Sequence, residues 1–223
     1  MFNEAADNDE STSAVSRTLN LLINDTRAES IVGKADENAK ETVINSDSVR
    51  IHSGTTLDLL SLSLNDVRQP SGIGAAGITA NFIRDGSQAN TGIGSNVNLT
   101  GKQSAQITSE VTNTLTSAAA SRATALTGLP GAMNLIHNAS AARTSAGGNI
   151  SITSKQDSVN VGAHSNSRLL NATTSQKDKD GIVSLGGSYN INLLNSTATV
   201  DLQSGTLSAR KNVSVLASGN QKS

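Results

Sequence analysis

Three histidines are the first side chains to consider for metal binding or acid–base chemistry: His52, His137 and His164. No two of them have the spacing of paired metal ligands, and none belongs to a His-x-x-x-His pair that one helix face would present to a metal ion. We therefore predict that all three are surface or turn residues.

Carboxylates offer two further kinds of site. Asp178-Lys179-Asp180-Gly181 resembles the start of an EF-hand calcium loop, but the later ligands and the closing Glu are missing. A paired-carboxylate site for general acid–base catalysis needs acidic side chains gathered in one groove, and nothing in the sequence concentrates them. The acidic residues in or beside strand-like segments are Asp58, Asp66, Asp157 and Asp201.

Two glycine-rich runs could cradle a phosphate. Gly72-Ile73-Gly74 and Gly92-Ile93-Gly94 are followed neither by Gly-Lys-Ser/Thr nor by a dinucleotide-binding fingerprint, so we interpret them as tight corners. The sequence thus predicts no catalytic, cofactor-binding or metal-binding residue, and a chain that is not an enzyme.

Composition narrows the class of protein. The net charge is −1, from 17 Lys and Arg against 18 Asp and Glu, and no basic block accompanies aromatic residues, which argues against a nucleic-acid partner. The absence of cysteine excludes disulfides and thiolate metal sites. No segment approaches the roughly 20 apolar residues of a membrane-spanning helix, and the first residues lack the basic and apolar regions of a signal peptide. We interpret the chain as an interior piece of a longer exported protein.

Aromatic residues make up only 1% of the chain, so a core must be built from Val, Ile, Leu and Ala in thin layers. From residue 43 apolar residues alternate with polar ones, the period of a β-strand. The alternating groups are short and are separated by polar turns, which predicts an all-β, right-handed parallel β-helix with strands of three to five residues. Asn residues in the turns are expected to form hydrogen-bonded ladders between coils.

Alternation also predicts which side chains point inward. The residues between them, such as Arg50, Asp58, Asn98, Ser151 and Asp201, should point outward. The predicted inward residues are Val49, Ile51, Leu57, Leu59, Val97, Leu99, Ile150, Ile152, Val159, Val161, Val200, Leu202, Val213 and Val215.

Residues 74–107 and 186–215 form an internal repeat, offset by about 111 residues. Each copy begins with small residues, continues with an apolar stretch around an Asn, and crosses a polar turn. Gaps between copies must fall in turns, because a one-residue slip would turn every inward side chain outward. We expect Asn81 to superpose on Asn192, Ile83 on Leu194 and Ala89 on Ala198, in two successive structural units.

The sequence divides into four segments. Residues 1–42 form a polar N-terminal segment, partly disordered or capping, in which 19–40 fit a short helix or strands equally. Residues 43–111 and 148–223 are two β-helix modules. Between them, 112–147 is rich in Ala, the best helix former and a poor strand former. We expect an insertion that lies outside the stack or caps it, either a helical hairpin or a flexible linker.

The two copies resemble a module of very large bacterial surface proteins: autotransporter-type adhesins, filamentous-haemagglutinin-like exoproteins and leukotoxin-like proteins. In that module a small-residue strand (here 184–188) leads to an Asn-containing apolar strand (190–194), then Asn/Ser/Thr and Ala (195–198), and closes with a rung like Asn212–Ser218. The resemblance implies a β-helical passenger stalk at the cell surface. We expect this sequence to be a fragment that does not include the family's export signal or transport domain.

The expected function is therefore that of a structural or adhesive segment of a secreted or cell-surface exoprotein. Expected partners are receptors or glycans on host or neighbouring cells and adjacent modules of a longer chain, without nucleic acid, cofactor or stable membrane insertion. The expected location is extracellular, at the bacterial outer-membrane surface. A β-helical polysaccharide-active enzyme and a soluble protein of unknown role are the alternatives.

Overall fold

The computed structural model describes residues 2–6, 13–36, 38–68, 72–177 and 183–222. The chain is all-β, with 83% of it in strands and no helix among the described residues. The strands are β1 (Phe2–Ala6), β2 (Ser13–Asn24), β3 (Arg27–Val32), β4 (Thr42–Arg68), β5 (Gly74–Asp85), β6 (Gln88–Ile93), β7 (Val97–Thr124), β8 (Thr127–Ala146), β9 (Ile150–Ser154), β10 (Val159–Lys177), β11 (Val183–Ser184), β12 (Gly187–Leu202), β13 (Gly205–Ala209) and β14 (Val213–Lys222).

The strands form two curled sheets, and the pairing between strands is parallel in both. Sheet I holds β1, β4, β7, β9, β10, β13 and β14, and sheet II holds β2, β3, β5, β6, β8, β11 and β12. The chain alternates between the sheets, and each strand pairs with the equivalent strand of the previous passage through the same sheet. One passage through both sheets, here called a coil, takes about 55 residues. The parallel pairing predicted from sequence is confirmed.

Equivalent residues of successive coils lie side by side in columns. Ile51 pairs with Ile107, Ile107 with Val161, and Val161 with Val215. Val161 is only 2% exposed because strands lie on both sides of it, whereas Val215 is 49% exposed in the last coil. Burial of an inward residue therefore depends on a neighbouring coil as much as on the facing sheet.

The predicted directions of the side chains agree with the structure. Eight of the predicted inward residues are buried: Val49, Ile51, Val97, Leu99, Ile150, Ile152, Val159 and Val161. Leu57, Leu59, Val200 and Leu202 are half-buried, and Val213 and Val215 lie at the open end of the stack. None of the predicted outward residues is buried.

The strands are much longer than the three to five residues predicted. β4 spans 27 residues and β7 spans 28. Gly54 and Gly101, although glycines often mark turns, lie inside these strands. The apolar groups that we interpreted as separate strands belong to the same strand. Inward Ser and Thr residues, such as Ser53 and Thr55, connect these groups and are buried without interrupting the alternation.

The prediction of a helical or linker segment at 112–147 is wrong. Residues up to Thr124 continue β7, and residues 127–146 form β8, so the boundary predicted at residue 111 falls inside a strand. Ala119 and Ala123 point inward and are buried. β7 is hydrogen-bonded between β4 and β10 over this stretch, and that tertiary pairing overrides the helix propensity of Ala.

The N-terminal segment also enters the sheets. β1 pairs with β4, β2 with β5, and β3 with β6. The ambiguity over residues 19–40 is thereby resolved as strand for the stretch up to Val32. Residues 1, 7–12 and 37 of this segment lie outside the described part of the chain.

The internal repeat exists, but the predicted matches around Asn81 are shifted by two residues, and the two copies are not successive coils. Asn81 pairs with Asn134 and Asn134 with Asn190, so Asn190 rather than Asn192 is the equivalent of Asn81. The pairing places Ile83 in the column of Asn192, not of Leu194. The two copies are two coils apart, because the coil between them contains the segment that we took for an insertion.

One equivalence of the repeat is correct. Ala89 pairs with Ala142, and Ala142 pairs with Ala198. The matches around Asn81 are off by two residues and the match at Ala89 is in register. The offset between the copies is 109 residues on both sides of Gly86, so no gap separates the copies at this turn.

An Asn ladder occurs at one corner, as predicted. Asn96 and Asn149 have φ of 57° and 56°, the left-handed region that Asn tolerates better than most residues. The Asn149 side-chain amide donates to Asn96 Oδ1 at 2.7 Å, and that of Asn96 donates to the Ala39 carbonyl at 2.9 Å. The corner thus links three successive coils.

Candidate functional surfaces

The three histidines lie apart, each on the outward side of a strand. His52 is in β4, His137 in β8 and His164 in β10, and none is buried. A ring nitrogen of His52 lies 3.0 Å from Thr108 Oγ1, its neighbour in the next coil. No three His, Cys, Asp or Glu of the described residues are grouped so that they could hold a metal ion.

The four carboxylates singled out from the sequence are also separate. Asp66 pairs with Arg68 at 2.6 Å, Asp157 with Lys211 at 3.2 Å and Asp201 with Arg143 at 3.3 Å. Asp58 is exposed on β4. The structure therefore brings none of them together in a groove. The Asp178–Gly181 calcium motif lies outside the described residues.

The interior has two chemically different halves. The aliphatic half contains Val, Ile, Leu and Ala from both sheets: Val49, Ile51, Ile93, Val97, Leu99, Ala105, Ile107, Ala146, Ile150, Ile152, Val159 and Val161. The polar half lies where β4 and β7 end and β5 and β8 begin. Its buried polar residues, which lie among buried Ala and Val side chains, include Ser61, Ser63, Asn65, Thr79, Asn81, Ser117, Ser121 and Asn134.

A chain of hydrogen bonds crosses the polar half from coil to coil. Asn81 accepts a hydrogen bond from Ser63 and donates to Ser117 Oγ at 3.2 Å. Ser117 donates to Asn134 Oδ1 at 3.2 Å, and the Asn134 amide donates to Asn171 Oδ1. Successive members alternate between sheet I and sheet II. The chain therefore fixes both the distance between the sheets and the register of the coils.

Asn81 and Asn134 also bind the backbone of the facing sheet in the same way. The Asn81 side-chain amide donates to the Ala118 carbonyl at 3.0 Å, and that of Asn134 donates to the Ala172 carbonyl at 2.8 Å. Ala118 and Ala172 are column neighbours. A side-chain amide meets this geometry because it donates and accepts at the same time.

A second repeated bond uses hydroxyl groups. Ser30, Thr91 and Thr144 occupy one column of sheet II and donate to carbonyls of sheet I at 2.8, 2.8 and 2.6 Å. The acceptors are the carbonyls of His52, Thr108 and Gly162, which themselves form one column. In the last coil the donor position is occupied by Val200, which has no hydroxyl.

Asp85 is a buried carboxylate that the sequence analysis did not select. Asn24 and Ser87 each donate to its Oδ1 at 2.7 Å, and Asn113 donates to its Oδ2. All three donors are uncharged, and Asp85 itself is fully buried. Asp85 lies two residues after Ile83 and four after Asn81. Alternation along the strand therefore indicates that its side chain points inward.

The outer side of sheet II over the polar half is apolar, and we call it the apolar outer face. It consists of the outward positions of four adjacent strands of sheet II and the residue before β12. These positions are Val15, Arg17, Leu19, Leu21, Ile23, Ala76, Ile78, Ala80, Phe82, Arg84, Leu129, Gly131, Met133, Leu135, His137, Leu185, Gly187, Tyr189, Ile191 and Leu193.

A groove of about 530 Å³ crosses this face. Gly131 and Gly187 line its floor, and the Tyr189 ring lies over Gly187. Leu129 and Leu185 stand on one side, and Met133 and Tyr189 on the other. A Cβ at Gly131 would meet only the Gly77 carbonyl oxygen at 4.0 Å, so the floor is open to the outside.

Neither the polar interior nor the apolar outer face was predicted from the sequence. Leu19, Leu21 and Ile23 occupy alternate positions, as residues on one face of a strand do. Alternation alone does not show which face of a strand is buried when neither face carries many charged residues. No helix long and apolar enough to cross a membrane occurs in the described segments.

Comparisons with family models, with curated proteins and with solved structures find no match for this chain.

Proposed function

We propose that this chain is a segment of a right-handed parallel β-helix in a large bacterial surface exoprotein, where it has a structural and adhesive role. The observation that carries the proposal is the set of columns that runs through every coil and stays open at the last one. Columns of this kind suit a modular rod, in which each coil is stabilised by its neighbours.

The path of the chain supports the β-helical interpretation. Sheet I and sheet II are entered alternately, and each return to a sheet adds a parallel strand beside the previous one. Crossovers between parallel strands of one sheet are right-handed in about 98% of cases, which supports the right-handed form.

The last coil supports stacking on a further coil. Val213 and Val215 continue columns whose earlier members are buried, yet each is about half exposed. The outer edges of β12 and β14 also offer backbone groups that no strand of the described chain pairs with. Another coil would bury these side chains and cover an edge that otherwise favours aggregation. An adjacent module of a longer chain is the partner that fits this end.

The adhesive role rests on the resemblance to exoprotein modules and on the exposed flanks of the rod. The outer side of sheet I includes polar residues such as Arg50, Asp58 and Thr114. We propose receptors or glycans of host or neighbouring cells as partners, and an extracellular location at the outer-membrane surface. The polysaccharide-active enzyme has no observation in its favour, since the separated carboxylates form no common site.

A head-to-tail tandem of the whole chain tests the rod. If the second copy continues the stack, small-angle scattering should show a single rod lengthened by about 19 Å, four times the strand spacing of about 4.8 Å. Two bodies joined by a flexible linker, with a broad distribution of distances, would contradict the proposal.

Retention of protein-coated beads on cultured epithelial cells tests adhesion. Beads coated with the native chain should remain attached under flow, and albumin-coated beads should wash off. Equal loss of both kinds of bead would contradict the adhesive role while leaving the structural role intact.

A further inference from the structure

The two ends of the coil stack have matching outlines. The column of Val49 crosses β4, β7, β10 and β14, and the column of Asn81 crosses β2, β5, β8 and β12. At the corner, the column of Ile44 crosses β4, β7, β9 and β13. Each of these columns therefore contains four strands. Because the count is the same around the coil, the surface at one end of the stack has the outline of the surface at the other.

The step in sheet I also has the same form at both ends. β14 lies beside residues 159–168 of β10, and no described strand lies beside β10 from there to Lys177. At the opposite end, no described strand lies beside residues 42–63 of β4, and β1 covers residues 64–68. A second copy stacked in register would place β1 beside the open part of β10, and β14 beside the open part of β4.

Like side chains would meet across such a contact. Val213 and Val215 of one copy would continue the columns of Val49 and Ile51 in the next. Both valines are about half exposed in the last coil, and a further coil would cover them. Other inward positions match in the same way: Asn190 with Asn20, Ala198 with Ala28, Leu202 with Val32, and Leu207 with Ile44.

The unlike pairs at the contact resemble pairs that already occur within the stack. Asn192 would meet Leu22, and inside the chain it already pairs with Ile136. Leu194 would meet Asn24, and it already pairs with Asn138. A second copy therefore asks for no kind of neighbour that the last coil does not have on its other side.

The last coil presents long strand edges to a partner. β12, β13 and β14 contain 16, 5 and 10 residues, and no described strand lies beyond them. Unpaired edges of this length favour pairing with another chain. A two-fold contact between two last coils would set β14 antiparallel to its own copy, so the parallel columns would end at the contact. A head-to-tail contact continues them.

We propose that separate copies of this chain stack head to tail, with the first coil of one copy on the last coil of the next. The contact joins two different surfaces, so each added copy leaves an open end, and the product is a filament instead of a closed dimer. The inference rests on the proposed function for the stacking of coils, and it names a second copy as a partner for the open end.

Disulfide cross-linking tests the register of the contact. Arg50 and Ser214 are exposed and share a column, but in one chain they are three strands apart, about 14 Å. Across the proposed contact they become neighbours at about 5 Å, within the range of a disulfide. Mild oxidation of R50C/S214C should give a ladder of linked oligomers on a non-reducing gel. The control D58C/S214C places its cysteines about 26 Å apart across the contact and should stay monomeric.

Val215→Lys tests the contact without a cross-link. It places a charge on a side chain that is half exposed in the single chain and covered in the filament. The association constant, measured by analytical ultracentrifugation, should fall at least about 100-fold. Ser214→Lys, on the outward side of the same strand, is the matched control and should associate like the native chain. Far-UV circular dichroism establishes that both variants retain their strands.

Mixing the native chain with an excess of the Val215→Lys variant tests direction. The variant retains a native first coil, so it should bind the last coil of native chains and stop their growth, which leaves short species. If two last coils met instead, the variant would not join and native assemblies would keep their size.

Three results would overturn the proposal. They are a native chain that stays monomeric at about millimolar concentration, equal cross-linking of the two cysteine variants, and a closed native dimer whose size the Val215→Lys variant does not change. The covalent tandem can still form a single rod in each case, so the proposed function is judged separately.

Discussion

The two halves of the interior solve the same problem with opposite chemistry. In the aliphatic half, Ile51, Ile107 and Val161 are buried against one another, and burial of apolar area holds the sheets together. In the polar half, Asn81, Ser117 and Asn134 are as deeply buried, and hydrogen bonds between the sheets take the place of apolar contacts. The comparison shows that alternation fixes which side chains point inward, but not their polarity.

The difference matters because the two kinds of interior fail differently. Apolar contacts are non-directional, so neighbouring side chains adjust when one is shortened. A buried amide network is directional, and the loss of one member leaves its partners without hydrogen bonds. Substitutions that exchange the two chemistries therefore test the comparison most strongly.

Ile107→Asn should have the largest effect. It places an amide among Ile51, Val161 and other aliphatic neighbours that offer no side-chain partner, and it removes buried apolar area. We expect a loss of about 4 kcal/mol or more in the free energy of unfolding, measured by urea denaturation. The adjacent outward substitution Gln106→Asn is the control and should cost less than about 1 kcal/mol. Similar losses for both would contradict the distinction between the inner and outer faces.

Asn81→Leu should come next, at about 3 kcal/mol, because it deprives Ser63, Ser117 and the Ala118 carbonyl of a hydrogen-bonding partner. The matched control is Asn192→Leu. Asn192 is exposed, and the other members of its column are Leu22, Ile83 and Ile136. We expect that control to cost less than about 1 kcal/mol in the same urea titration, because it loses only the exposed hydrogen bond from Asn171. A neutral Asn81→Leu would show that the polar half is only tolerated, not structural.

Thr144→Val should cost about 1–2 kcal/mol. It removes the 2.6 Å bond to the Gly162 carbonyl and the contact with Ser109 while preserving side-chain shape. Thr100→Val, on the outward side of β7, is the control and should change the unfolding midpoint little. Equal unfolding midpoints for the two variants would show that the hydroxyl column does not stabilise the fold.

Val200→Thr should have the smallest effect, a gain of about 0.5 kcal/mol. It would supply the fourth hydroxyl of the Ser30, Thr91 and Thr144 column, facing the Leu216 carbonyl. The same substitution in the aliphatic half, Val159→Thr, should instead cost about 1–2 kcal/mol, because no equivalent acceptor is offered there. Changes of opposite sign in the free energy of unfolding would support the distinction between the two sites, and changes of the same sign would contradict it.

The sequence predicted the parallel strands and most of the aliphatic half. Val49, Ile51, Val159 and Val161 stand out because apolar residues alternating with polar ones have one physical explanation, a buried strand face. The polar half was not predictable in this way. Asn, Ser and Thr occur both in surface turns and in this interior, and only their facing partners distinguish the two.

The Ala-rich stretch shows the same limit. Ala119 and Ala123 alternate with Ala118, Ala120 and Arg122, so small residues on both sides of the strand concealed its period. Helix propensity then favoured a helix that the pairing with β4 and β10 excludes. The apolar outer face was missed because its leucines were assigned to no side.

Spin-label pairs give the most direct test of the central claim that the polar half is stacked in register like the aliphatic half. The chain has no cysteine, so labels attach only where cysteines are introduced. Thr116 and Leu170 are column neighbours in the polar half, and Gln106 and Asn160 are column neighbours in the aliphatic half. Each pair should be separated by about 5 Å and show strong dipolar broadening in frozen solution, whereas Thr116 with Asn160, about 33 Å apart, should show none. Broadening for Gln106 and Asn160 without broadening for Thr116 and Leu170 would contradict the account.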